Sequence, residues 1–240
     1  MFIQDCSSSV ALRFVTQLTS GYHSSAVCWM ENGSLLSGGG SYLYQYDTES
    51  GSILTQVNQT KSIGSVAVGK NVIAGISSTN DFGGGNPVFM LFSEDLKPQK
   101  TVATLNFTSS YTINLVTVMP STSNIIILNP NTKQVLVYSN KGGLNCTIKL
   151  IGLQNPTAIQ AVPGQSVLIS DCNSGSVSKF RLANQKLEHV WTYLGVINPT
   201  ALSVDLKGWI YCLALINDPA TGNQIPAIKI ISEEGKTCIY

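Results

Sequence analysis

Asn155-Pro-Thr-Ala158 returns as Asn198-Pro-Thr-Ala201, 43 residues further along the chain. Each copy opens a short apolar run, Ala158-Ile-Gln-Ala-Val162 in one and Ala201-Leu-Ser-Val-Asp205 in the other, which turns through Pro163-Gly-Gln165 or Lys207-Gly208 into a second apolar run. A strand-turn-strand unit of this length cannot bury both faces of its own sheet, so it folds by stacking against copies of itself.

Working outward from these two anchors, Ala26-Val-Cys-Trp29, Ser65-Val-Ala-Val68 and Leu115-Val-Thr-Val-Met119 fit the same slot. Ala26, Ser65, Leu115, Ala158 and Ala201 thus mark the inner strand, a, of five units. Polar or glycine-bearing turns at fixed offsets then lead into strand b, as in Glu31-Asn-Gly33, Gly69-Lys-Asn71 and Pro120-Ser-Thr-Ser123, which argues hairpins rather than helices. Strand c follows as Tyr42-Leu-Tyr-Gln-Tyr46, Val88-Phe-Met-Leu-Phe92, Gln134-Val-Leu-Val-Tyr138, Ser176-Val-Ser-Lys-Phe180 and Ala227-Ile-Lys-Ile-Ile231, each closed by a polar turn before a weaker strand d. Repeated four-stranded antiparallel units of this kind spell an all-β propeller.

Asp5-Cys-Ser-Ser-Ser-Val-Ala-Leu-Arg-Phe14 matches Asp171-Cys-Asn-Ser-Gly-Ser-Val-Ser-Lys-Phe180 with a one-residue gap. Residues 2 to 20 therefore read as strands b, c and d of a further unit whose strand a is missing. The expectation is a single domain over 1–240, a six-bladed propeller with blades at about 1–21 (partial), 22–61, 62–111, 112–154, 155–197 and 198–240.

Val167-Leu-Ile-Ser-Asp-Cys-Asn-Ser-Gly-Ser-Val-Ser-Lys-Phe180, and Ala201-Leu-Ser-Val-Asp-Leu-Lys-Gly-Trp-Ile-Tyr211 with Ile228-Lys-Ile-Ile-Ser-Glu-Glu-Gly235, resemble NHL repeats. Ser34-Leu-Leu-Ser-Gly-Gly-Gly-Ser-Tyr-Leu-Tyr-Gln-Tyr-Asp47 is equally similar to a WD repeat, with Tyr46-Asp47 where that family has Trp-Asp. The NHL resemblance implies a propeller that binds protein or RNA. The arginine usual after the asparagine of an NHL blade is absent beside Asn173, which departs from the RNA-binding pattern.

Charged residues make up only 11% of the chain, 14 basic against 13 acidic for a net charge of +1. Scattered charge of this kind provides no electrostatic footprint for a phosphate backbone, so nucleic acid is a poor partner. Apolar runs such as Asn124-Ile-Ile-Ile-Leu128 fall far short of a bilayer span, so no membrane partner is expected. The start Met1-Phe-Ile-Gln-Asp-Cys6 lacks the basic n-region of a signal peptide, and the expected address is cytoplasmic. Sequons at Asn32, Asn58, Asn106 and Asn145 leave secretion as the alternative, while proline blocks those at Asn155 and Asn198. The six cysteines show no C-x-x-C spacing and read as plain buried thiols, with Cys6 and Cys238 brought near each other if the ring closes.

Candidate chemistry is sparse. Gly38-Gly-Gly40 and Gly83-Gly-Gly85 are not followed by Lys-Ser/Thr or a helix, and read as turns rather than phosphate cradles. His23 and His189 have no G-x-S-x-G partner, so no catalytic residue is assigned. Asp5, Asp171 and Asp205 either cap turns or line a central channel and hold a cation, as in propeller lactonases, which the fold resembles. Long polar loops raised on a rigid scaffold are where binding concentrates. Two b-to-c connections stand out: Ser77 to Pro87, with Asn80, Asp81 and Phe82, and Asn217 to Pro226, with Asp218 and Asn223. They lie three blades apart, on opposite sides of one end of a six-membered ring. The expected function is a non-catalytic, monomeric binding module for a protein or peptide, without cofactor or metal. The alternatives are a channel-metal hydrolase of the lactonase type and an RNA-binding NHL domain.

Overall fold

The computed structural model describes residues 24–39, 41–59, 61–77, 86–106, 115–218 and 220–236. Nineteen strands form five antiparallel meanders among them. The first sheet is β1 (Ser24–Trp29), β2 (Leu35–Gly39), β3 (Tyr42–Tyr46) and β4 (Ile53–Asn58); the second is β5 (Ile63–Gly69), β6 (Val72–Ser77), β7 (Val88–Phe92) and β8 (Pro98–Thr104). The third comprises β9 (Val116–Val118), β10 (Ile125–Asn129), β11 (Gln134–Tyr138) and β12 (Leu144–Lys149), and the fourth β13 (Pro156–Val162), β14 (Ser166–Asp171), β15 (Ser176–Ala183) and β16 (Lys186–Leu194). The fifth has three described strands, β17 (Ile197–Val204), β18 (Ile210–Asn217) and β19 (Gln224–Ile231).

The structure thus describes five blades where the sequence led us to expect six. The partial blade expected at 1–21 lies outside the described residues, as do Cys6 and Cys238. Consecutive sheets pack through their first strands, β1 on β5, β5 on β9, β9 on β13 and β13 on β17. No comparable packing joins the fifth sheet to the first among the described residues.

A backbone irregularity explains why the inner-strand anchors align. The β1/β2, β5/β6, β13/β14 and β17/β18 ladders each slip register immediately before Ala26, Ser65, Ala158 and Ala201. Such bulges increase local twist, and they recur at one level of the array. Next to them, hydroxyls tie neighbouring sheets together. Ser65 Oγ accepts from Leu115 N (3.0 Å) and Val116 N (3.2 Å), Ala161 N donates to Thr117 Oγ1 (2.9 Å), and Thr157 Oγ1 donates to Pro199 O (2.6 Å).

Burial follows from stacking. In the third sheet Ile125, Ile126, Ile127 and Leu128 are at most 1% exposed, because β10 is covered on both faces. Each such side chain contributes about 1.5–3 kcal/mol. Phe89 of the second sheet meets Tyr138 of the third with ring centroids 4.9 Å apart. The outermost strands β4, β8, β12 and β16 are largely exposed. The fifth sheet behaves differently: β18 is apolar on both faces, yet its burial alternates, and Leu213 and Ile228 on the outward face are 44% and 51% exposed.

Candidate functional site

The strand a starts and the b-to-c connections share one end of the array, and there the two Asn-Pro-Thr-Ala copies converge. Together they line a cavity of about 830 Å³. Its wall is drawn from three sheets: Leu115, Pro130 and Asn131 from the third, Asn155, Pro156, Thr157 and Cys172 from the fourth, and Asn198, Thr200, Leu213, Leu215 and Pro226 among those from the fifth. Among the described residues no lining residue carries a charge. Apolar walls with a few neutral polar groups are the usual make-up of a ligand site.

The copies are equivalent in register, since Ala158 faces Ser170 and Ala201 faces Leu213, again 43 residues apart. Their surroundings differ. In the fourth sheet the fully buried Asp171 carboxylate accepts from the amides of Gln154, Asn155 (3.2 Å), Asn173 (3.0 Å) and Ser174 (3.1 Å), which closes a tight b-to-c turn and holds the start of β13 against it. The fifth sheet has Ala214 at that register, without a carboxylate, and its strands continue. Leu215, Ile216 and Asn217 pair with Pro226, Ile225 and Gln224, so the hairpin extends three more residues, about 10 Å at strand rise.

This revises the reading of the Asn217–Pro226 connection, which is an extended hairpin with a short tip rather than a long loop. Asp218 and Asn223 close the tip: Asp218 N donates to Asn223 O (2.8 Å), and the Asp218 carboxylate accepts from Ala220 N (3.0 Å) and Thr221 Oγ1 (2.6 Å). The Thr221 hydroxyl and then the Ala220 amide hold the Asp218 carboxyl below the ordinary aspartate range. Leu215 and Pro226, lower on the same hairpin, form cavity wall. Asn80, Asp81 and Phe82 lie outside the described residues, so the structure does not bring them together with Asp218 and Asn223.

Of the carboxylates considered for a channel metal, Asp171 serves the turn just described. Asp205 does likewise, accepting from Lys207 N and Trp209 N at 2.9 Å and from Tyr211 Oη at 3.2 Å. Asp5 lies outside the described residues. Among the described residues no three His, Cys, Asp or Glu side chains converge as a ligand set. His189 is exposed on β16, bonded to Thr192 Oγ1 at 2.8 Å and edge-on to Phe180.

Sequence reasoning missed the cavity. It used the Asn-Pro-Thr-Ala motif as a marker of period, not as a lining. Cys172 is half-buried there, its thiol donating to Asn198 Oδ1 at 3.0 Å. Cys28 is half-buried as well and Cys212 is buried, and desolvation pushes each of these two thiols up to about 12. Asn198 has a φ of +46°, in the left-handed region that asparagine tolerates better than most residues. Asn155 Nδ2 donates to Asn173 Oδ1 at 3.3 Å, and Asn155 Oδ1 and Asn198 Nδ2 make no hydrogen bond within the described chain.

No family model matches this chain, and no curated protein matches it in sequence. Solved structures do match. The WD40 repeats of RRP9 superpose with a TM-score of 0.64 at 11% identity, over 91% of this chain and 62% of that one. The WD40 β-propeller domain of Doa1 gives 0.58 at 13%, over 88% and 73%. The fold is a β-propeller. Virginiamycin B lyase from Staphylococcus aureus matches at 0.61 and 12%, over 83% and 65%, so a lyase is among the proteins with this fold. The propeller described here spans less than two thirds of the RRP9 and lyase chains.

Proposed function

We propose that this propeller is a non-catalytic binding module that holds a protein or peptide partner on the end where the b-to-c connections lie. The observation that carries the reading is the cavity of about 830 Å³, uncharged among its described lining residues, with the β18–β19 hairpin contributing wall and Asp218 and Asn223 at that hairpin's tip. Wall and tip together provide an apolar recess beside a polar rim, the anatomy of a recognition surface. The WD40 neighbours support a protein partner by analogy of fold.

A six-membered ring of NHL-like blades belongs to the same proposal. It is supported by the match of Asp5–Phe14 to Asp171–Phe180.

The test compares the partners held by the immobilised wild type with those held by a variant carrying N80A, D81A, F82A, D218A and N223A, by quantitative mass spectrometry. Specific partners should fall at least about tenfold, equivalent to about 1.4 kcal/mol. An unchanged set would refute the assignment of this end.

A further inference from the structure

Thr157 and Thr200 hold the same place in their repeats and make the same contact within their own sheets. Thr157 Oγ1 lies 3.5 Å from Ser170 O, and Thr200 Oγ1 lies 3.4 Å from Leu213 O, the register equivalent of Ser170 O. Thr157 makes two contacts more, one with Ser170 Oγ at 2.9 Å in its own sheet and the 2.6 Å donation to Pro199 O on the inner strand of the next sheet. Thr200 has no such acceptor among the described residues and is exposed at the cavity wall. Beside it, Asn198 Nδ2 and Asn155 Oδ1 have no hydrogen-bond partner among the described residues.

Resting on the binding reading above, we infer that the cavity takes an extended, uncharged peptide segment of the partner, lying beside β17 as an inner strand lies beside its neighbour. Thr200 donates to a carbonyl of that segment as Thr157 does to Pro199 O. Asn198 Nδ2 and Asn155 Oδ1 satisfy one peptide C=O and one N–H. The wall explains the rest of the specificity. Leu213, Leu215, Pro226 and Leu115 receive apolar side chains, which alternate on one side of an extended chain. An Asp or Lys placed there would be desolvated with no countercharge from the described lining residues. Side-chain hydrogen bonds to the peptide backbone supply affinity and apolar pockets supply specificity.

Cys172 is a built-in reporter of occupancy, since it lies in the wall while Cys146 is on the outer strand β12. The full chain is pulsed with iodoacetamide, and alkylation is read at each cysteine by mass spectrometry. The probes are acetylated, amidated pentapeptides Gly-Xaa-Ala-Xaa-Gly with Xaa leucine, aspartate or lysine. The leucine peptide is expected to slow Cys172 alkylation at least fivefold and leave Cys146 unchanged, while the aspartate and lysine peptides protect neither. N198A and T200V, both at exposed positions, should raise the half-protecting concentration about tenfold, the loss of one hydrogen bond to a desolvated group. Failure of the leucine peptide to protect, equal protection by a charged peptide, or indifference to both substitutions overturns the inference. A photo-crosslinker on Cys172 that captures residues 1–23 of the same chain and excludes the peptide also overturns it. If the tip and Asn80–Phe82 substitutions abolish partner capture while N198A and T200V do not, the binding function stands and this inference alone falls.

Discussion

Replacing Thr157 by valine and, separately, Thr200 by valine perturbs two residues that occupy the same position in an identical tetrapeptide. Valine keeps the shape and removes only the hydroxyl. At Thr157 that hydroxyl lies 2.6 Å from Pro199 O and 2.9 Å from Ser170 Oγ, and both Pro199 and Ser170 are buried. Stripping the donor leaves a buried carbonyl between the fourth and fifth sheets without its bond, at a cost of about 1–3 kcal/mol. For a chain of this size that corresponds to roughly 2–4 °C in Tm per kcal/mol. At Thr200 the side chain is exposed and its one hydrogen bond among the described residues is the 3.4 Å approach to Leu213 O, so water replaces what is lost and the change stays within about 0.5 kcal/mol. Urea unfolding followed by the fluorescence of Trp29, Trp191 and Trp209 measures both, with T157S as the control that keeps the hydroxyl. Equal destabilisation by the two valines, or a cost below about 0.5 kcal/mol for T157V, would refute the claim that the hydroxyl bridge between sheets separates the two copies.

Gly69 approaches the third sheet so closely that a Cβ built on it would lie 2.2 Å from Val118 Cγ1 and 2.9 Å from Val118 Cβ. G69A should therefore cost about 1–3 kcal/mol by overpacking, and the double variant G69A/V118A should recover part of the loss in the same urea assay. Burial raises the Cys28 and Cys212 thiols from 9.0 to about 12, so the folded chain keeps both protonated where the unfolded chain loses them. Their contribution is fully present below pH 9 and is lost as pH rises from about 9 to about 12, with a limiting slope of about 1.4 kcal/mol per pH unit for each thiol. Urea midpoints measured from pH 8 to pH 10.5 should fall accordingly, and C28A and C212A should each flatten the profile; a profile unaltered by either would contradict the burial.

Most of the strand order was legible in the chain because it depends on local chemistry. Turn residues at fixed offsets and short apolar runs specify a meander, and the anchors Ala26, Ser65, Ala158 and Ala201 fall beside the bulges of their own ladders. The Asn217–Pro226 segment was less legible. Its proline and polar residues look like loop, yet paired backbone carries β18 and β19 through Asn217 and Gln224, with Asp218 closing the tip. Proline is tolerated there because Pro226 lies on β19, the edge strand of the described sheet. The cavity was not legible at all, since its walls are separated by more than a hundred residues, from Leu115 to Pro226.

The amino-acid sequence by itself determined that this chain is all-β, built of repeated antiparallel sheets with near-neutral surfaces, because period, turn chemistry and composition are properties of short windows. Only the tertiary structure decided what each repeat does. Two identical Asn-Pro-Thr-Ala segments bring their alanines opposite equivalent residues, but one threonine is tied to the neighbouring sheet and the other opens on a cavity. The physical reason is that a hydrogen bond between sheets depends on which backbone carbonyl packing places within reach, and no local pattern encodes that.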